Sequence, residues 1–209
     1  GEDSGQNATA YAQIFGKISD TTDGSEGGHL ALQVASHDGE MTIGLEIVDG
    51  DAEDEIDVNI GSGDASVTTI NGSAVLNRKF SVTGDTDGTF QGDVVYFGGT
   101  TSMTTGALYH YKSDSTWELA DANAVATCDG LLGIALGAAS DTNGVLLRGM
   151  VTVDHDTGAV GDVLFVSTTQ GDITATAPSA NADIVRVVGY CLHASNGQIW
   201  FNPDGAFVE

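Results

Sequence analysis

A period of two constrains this chain more than any other feature. Between Leu30 and Ile60, apolar and polar residues alternate through three successive runs. Leu30, Leu32 and Val34 share one parity. Met41, Ile43, Leu45 and Ile47 share the next, with Thr42, Gly44 and Glu46 between them, and Ile56, Val58 and Ile60 alternate with Asp57 and Asn59. Successive side chains of a strand point to opposite faces, so each run reads as a strand with one apolar side. Ser36-His37-Asp38-Gly39 and the acidic run Asp49 to Glu55 carry the turn chemistry between them. A shorter strand at Tyr11 to Ile18 and an acidic turn from Asp20 to Gly28 come first. No stretch of the chain shows a sustained 3.6-residue period, so helix content should be low and the fold class all-β.

A meander of this kind has one greasy face and little to bury it with. Roughly 70 residues of sheet without a helix cannot keep that face dry alone. We therefore expect other copies of the chain to cover it, through Leu30, Leu32, Met41, Ile43, Leu45 and Ile56. On this reading Ile43→Asp would separate the copies.

The C-terminal half looks like one β unit written twice. Leu131 to Val153 reads as a hairpin around Ser140-Asp141-Thr142-Asn143-Gly144, and Val187 to Phe201 as a second around Ala194-Ser195-Asn196-Gly197. Gly92-Asp93-Val94-Val95 precedes the first hairpin and Gly161-Asp162-Val163-Leu164 the second. Nine short strands are expected: 94–97, 107–111, 117–120, 131–136, 145–153, 163–166, 173–175, 184–192 and 199–201. At most a turn of helix is expected around 120–126. Short strands with Gly, Asp and Asn turns indicate a compact β-barrel or sandwich with an internal duplication. Between the halves, Asn71-Gly72 marks another hairpin turn and Gly84-Asp-Thr-Asp-Gly88 a boundary. The expected organisation is a β-meander domain over 1–83, a linker over 84–91 and a duplicated barrel over 92–209.

Charge limits the partners. Six basic residues against 30 acidic ones give a formal charge of −24. Such a surface repels phosphate backbones and anionic membranes, so neither nucleic acid nor membrane is an expected partner. No run of 18 apolar residues predicts a membrane-spanning helix. Cys128 and Cys191 are too sparse for a disulfide scaffold and read as two buried thiols, with a single bridge as the other reading.

The motifs of chemistry are sparse. Asp49 to Glu55 could be a calcium loop, but EF-hand spacing fails, since Ile60 stands at the twelfth position and Asp54 at the sixth. A solvated acidic turn is the favoured reading there and at Asp20, Asp23 and Glu26, and no cofactor is expected. Asp154-His155-Asp156 offers metal-ligand types, but His29, His37, His110 and His193 show no ligand spacing, and His155 reads as a lone exposed histidine. No nucleophile elbow, phosphate loop or dinucleotide fingerprint occurs. Tyr96, Phe97, Tyr109, Tyr111, Trp117, Tyr190, Trp200 and Phe201 concentrate in the second half, where barrel core is favoured over a sugar-stacking platform. Tyr109 and Tyr111, on one strand face with His110 opposite, are the pair to test for ligand contact.

Two blocks resemble bacteriophage structural proteins. Tyr11 to Gly28 with its Thr-Asp-Gly-Ser-Glu-Gly turn, the alternating Leu30 to Val34 and the later Val67-Thr-Thr-Ile-Asn-Gly72 look like a recurring module of phage tail-fibre proteins. The Gly-Asp-Val-Val and Val-Gly-x-x-Leu pieces are similar to small β-barrel domains of head-decoration and fibre proteins. The resemblance implies a fibre-like N-terminal module, a homotrimer and attachment to other virion proteins at the virion surface after assembly in the host cytoplasm. The expected function is thus structural and non-enzymatic, a tail fibre or capsid decoration. The alternative is a module that binds carbohydrate or a host receptor, with a surface glycan as partner.

Overall fold

The structure, a computed structural model, describes residues 1, 4–6, 9–63 and 65–209. The chain is all-β and divides into two compact units, Gly1–Leu76 and Asn77–Glu209. The first is one antiparallel sheet of four strands in chain order: β1 (Ala12–Asp20), β2 (Gly27–Ala35), β3 (Met41–Asp49) and β4 (Ile56–Ile60). These are the alternating runs, and polar turns join them. Ser36 closes the β2–β3 turn: its Oγ donates to the Asp38 carboxylate at 2.7 Å, and Gly39 supplies a φ of +88°. Asp20 accepts the Thr22 N–H at 2.8 Å in the turn before β2.

The register departs from simple alternation in β3. Leu32 pairs with Leu45, but Gln33 pairs with Ile43, so Gly44 is an extra residue, a β-bulge. One extra residue swaps every later side chain to the other face. Ile43 therefore lies beside Gln33 and Met41 beside Ala35, on the face opposite Leu32 and Leu45. The expectation that Met41 and Ile43 share a face with Leu30, Leu32 and Leu45 is corrected by that bulge.

The second unit begins earlier than expected, at Asn77 rather than after residue 83. Residues 77–91 are tied into it. Arg78 pairs with Asp93 at 2.9 Å, Phe80 packs edge-on against Trp200, and Val82 is buried. Gly84 accepts a hydrogen bond from the Gln198 amide, and the Gly88 N–H reaches the Thr152 carbonyl. Residues 84–91, expected as a linker, thus belong to the second unit and are hydrogen-bonded to β9 and to Gln198. The hairpin expected at Asn71-Gly72 is absent: residues 66–82 form no strand.

Nine strands make up the second unit: β5 (Phe90–Val95), β6 (Leu108–Tyr111), β7 (Trp117–Leu119), β8 (Leu132–Ala135), β9 (Val145–Thr152), β10 (Val163–Val166), β11 (Ile173–Thr174), β12 (Val187–Cys191) and β13 (Gln198–Phe201). They form one curled sheet, a half-barrel, in the order β11-β10-β12-β13-β9-β8-β6-β7, with β5 on β9. Both expected hairpins are present, β8–β9 and β12–β13, and β13 joins them by pairing with β9. The first hairpin's turn winds into a single helical turn, α1 (Ser140–Asn143), whose Asn143 side chain accepts the Ala139 N–H. A short 3-10 turn spans Val125–Thr127. The strands before the hairpins attach differently: β5 lies along β9, whereas β10 lies along β12. The likeness of the two halves is thus one of hairpins and not of the whole strand order.

Burial explains the closure. Leu108, Leu132, Ile134, Leu146, Val151, Leu164, Ile184, Ile199 and Phe201 form the main core inside the curl. Their complete burial supplies the hydrophobic drive, about 1.5–3 kcal/mol per side chain. One charge is enclosed with them. Arg186 is 4% exposed, and its guanidinium donates to the carbonyls of Cys128, Gly130 and Asp204. A buried charge is tolerated where hydrogen bonds replace its hydration, and this one stitches the 128–130 loop and the C-terminal segment to the residue before β12. Among the described residues no helix is long and apolar enough to cross a membrane.

Candidate functional site: an uncovered sheet face

Cross-strand register builds the apolar face of the first unit. Ile14, Leu32, Leu45 and Ile60 stand side by side across all four strands. Gly16, Leu30, Ile47 and Val58 form the adjoining ladder, and Ile18, Val34 and Ile56 extend the face at its corners. Cross-strand apolar pairs stabilise a sheet, but they hide only the flanks of each side chain. Ile14 remains 73% exposed, Ile56 63%, and Leu32, near the centre, 39%. Among the described residues of this unit, Ala31 is the one buried apolar side chain, and it lies on the other face.

That other face is mixed, with Phe15, Ala31, Met41, Ile43 and Val48 set among Gln13, Lys17, His29, Gln33, Glu46 and Asn59. The Phe15 and His29 rings pack with their centroids 5.5 Å apart, the His29 Nε2 stands 3.2 Å from a Glu46 carboxylate oxygen, and Asn59 donates to Glu46 at 3.0 Å. The two faces therefore differ in kind. One has its own polar partners, while the other is a continuous aliphatic surface on which Asp49, at the end of β3 opposite Ile56, is the one acidic strand position. Contiguous exposed apolar surface of this sort marks an interaction site.

Of the residues expected to meet other copies, Leu30, Leu32, Leu45 and Ile56 lie on this face, and Met41 and Ile43 do not. Ile14, Ile18, Val58 and Ile60 belong to it as well. Ile14 and Ile18 belong to the short strand that the sequence places at Tyr11 to Ile18. Only the register placed them beside Leu32.

The aromatic pair is placed differently from a ligand platform. Tyr109 is 5% exposed, and its hydroxyl accepts the Thr104 N–H at 2.8 Å, so the ring is core. Tyr111 is partly buried between Phe97 and Trp117, each with ring centroids 5.0 Å away. His110 is buried too, since both faces of β6 are covered.

The acidic runs act as turn caps. Glu55 turns back so that one carboxylate oxygen accepts the N–H groups of Asp51 and Ala52 at 2.9 and 3.0 Å. His155 is the histidine whose surroundings the sequence misjudged. Its side chain is 23% exposed, its Nδ1 lies 2.8 Å from Asp154, and Asp172 approaches from the turn before β11 at 3.9 Å. Burial alone would lower its pKa, but the hydrogen bonds to Asp154 and the Ile173 backbone, together with both carboxylate charges, raise it above 6.5. Cys128 and Cys191 are free and buried, and burial pushes the Cys128 thiol up to about 11.

Comparison of the chain with models of known protein families, with curated proteins and with solved structures finds no match.

Proposed function

We propose that this chain is a structural protein that works by assembling with copies of itself, and that the ladder face of β1–β4 is the contact. The observation that supports this is the extent of that face. It runs across every strand of its sheet, and among the described residues of its unit no second layer lies over it. An isolated four-stranded sheet with such a face is marginal in water. Other copies offer the same largely aliphatic surface, so the contact can form with little of the charge of −24 on each chain buried in it.

The setting we propose is a phage virion surface, as tail fibre or capsid decoration, in a homotrimer. The sequence resemblance supports that setting, and a non-enzymatic role accords with it. Light scattering of the full chain after size exclusion tests the assembly. A mass near three chains is expected. A monodisperse monomer at about 100 µM would overturn it, because that concentration corresponds to an association weaker than roughly 5.5 kcal/mol.

A further inference from the structure

The half-barrel brings together one group of metal-ligand side chains among the described residues: Asp154, His155 and Asp172. We propose that these three residues form a binding site for a divalent first-row transition cation, of the zinc or manganese type, which fastens the end of β9 to the start of β11.

The three side chains come within reach of one ion once the 2.8 Å hydrogen bond between His155 and Asp154 opens. One donor atom from each side chain lies within 4.8 Å of the others. His155 Nδ1 is 2.8 Å from Asp154 Oδ1 and 3.9 Å from Asp172 Oδ1. Ligands bonded at about 2.0–2.2 Å to a shared ion stand roughly 3–4 Å apart. Water would complete the coordination on the open side.

The histidine is oriented for the task by its other nitrogen. Nε2 lies 2.9 Å from the Ile173 carbonyl and 3.0 Å from the Ile173 N–H. With the proton on Nε2 the ring donates to that carbonyl and the Nδ1 lone pair faces the two carboxylates; with it on Nδ1 the ring donates to Asp154 and Nε2 accepts the Ile173 N–H, so a bound ion selects the first arrangement. A ligating histidine is characteristically held through such a backbone acceptor. Ile173 belongs to the edge strand β11, so the ring also covers an unpaired strand edge.

The backbone under the ligands is fixed. A Cβ at Gly106 would come 2.7 Å from the Asp154 nitrogen, and one at Gly197 would come 2.4 Å from the Val153 carbonyl oxygen and 2.9 Å from that of His155. Two glycines at positive φ thus clamp residues 153–155 from both sides. Asp172 is held by its own turn, where its carbonyl accepts the Ser167 N–H. Ligands on backbone this constrained lose little freedom on binding.

The donor set also predicts selectivity. Thirty carboxylates will attract any divalent cation weakly, but all-oxygen sites favour calcium and magnesium. An imidazole nitrogen shifts preference toward zinc and its neighbours.

Calorimetry of the full chain, freed of metal by EDTA and held in excess Mg2+, tests the site with Zn2+ alone. One Zn2+ per chain is expected, with a rise in the melting temperature of the half-barrel. Asp172→Asn should weaken binding about tenfold or more and leave the metal-free melting temperature unchanged. His155→Gln should weaken binding at least as much. Absence of Zn2+ binding at millimolar concentration would overturn the proposal, as would binding by both variants with the affinity of the parent. Neither result depends on the oligomeric state.

Discussion

Replacing Leu32 by aspartate puts a charge at the centre of the ladder face. Leu32 lies between Ile14 and Leu45, and 39% of it is exposed in the single chain. Complete burial of a leucine contributes about 1.5–3 kcal/mol, so covering the exposed part contributes roughly 0.6–1.2 kcal/mol per chain. The larger effect is the carboxylate, because an unpaired ion in an apolar contact costs several kcal/mol. A loss of at least about 4 kcal/mol per chain weakens association by roughly a thousandfold. Ile43→Asp is the internal control, since the bulge at Gly44 sets Ile43 on the opposite face beside Gln33. Sedimentation velocity over a concentration series reads both variants, and circular dichroism checks that each keeps its strands. We expect Leu32→Asp to sediment as monomer where the parent and Ile43→Asp are assembled. Equal dissociation by the two variants would refute the assignment of the face.

Other perturbations probe the fold and its charge. Raising the salt concentration should tighten the assembly, because screening relieves repulsion between chains of charge −24; weakening by salt in the same sedimentation assay would point to a contact made by ion pairs. Arg186→Ala leaves the carbonyls of Cys128, Gly130 and Asp204 without their buried donor and should lower stability in urea by about 3–5 kcal/mol. Gly149→Ala places a Cβ 2.2 Å from the Gln91 carbonyl at a φ of +146° and should cost about 2–3 kcal/mol by separating β5 from β9. For Asp121, burial opposes ionisation, but the Asn123 N–H, Gln170 and Thr127 outweigh it and hold the carboxyl below 3.8. A carboxylate depressed in the folded state contributes stability above its unfolded pKa and loses it as pH falls through the folded value. Asp121→Asn should therefore flatten the acid limb of a stability profile below about pH 4. Thiol titration should find Cys128 unreactive at pH 8 until the chain unfolds, given its burial and raised pKa.

Strand positions were legible because period-two alternation is a local property. The β2, β3 and β4 runs follow from it, while the half-barrel strands were placed by short β-rich runs between Gly, Asp and Asn turns, the first at 94–97 where the structure has Phe90–Val95, and Asn196-Gly197 marks the second hairpin. Faces were less legible. Met41, Ile43, Leu45 and Ile47 share a parity, yet one bulged residue breaks the link between parity and face, and Gly44 was its only local sign. The boundary was misplaced for a related reason. Gly84-Asp-Thr-Asp-Gly88 has the composition of a linker, while the contacts that bind this region come from Arg78 and Phe80, whose partners Asp93 and Trp200 are distant in sequence. His155 shows the same limit. Asp154 was visible as its neighbour, but Asp172 and the Ile173 backbone reach it only through the pairing of β10 with β11. Tyr109 was readable as a strand aromatic, but the layer over both faces of β6 was not.

Methyl NMR of a mixed sample tests the central claim most directly. Half the chains carry labelled Ile, Leu and Val methyl groups, and the other half are unlabelled. Isotope-filtered spectra then report contacts between chains alone. The account predicts intermolecular contacts from Ile14, Leu32, Leu45, Val58 and Ile60, and none from Ile43. Intermolecular contacts confined to Ile43 and its face, or none from any methyl of the first unit, would contradict it.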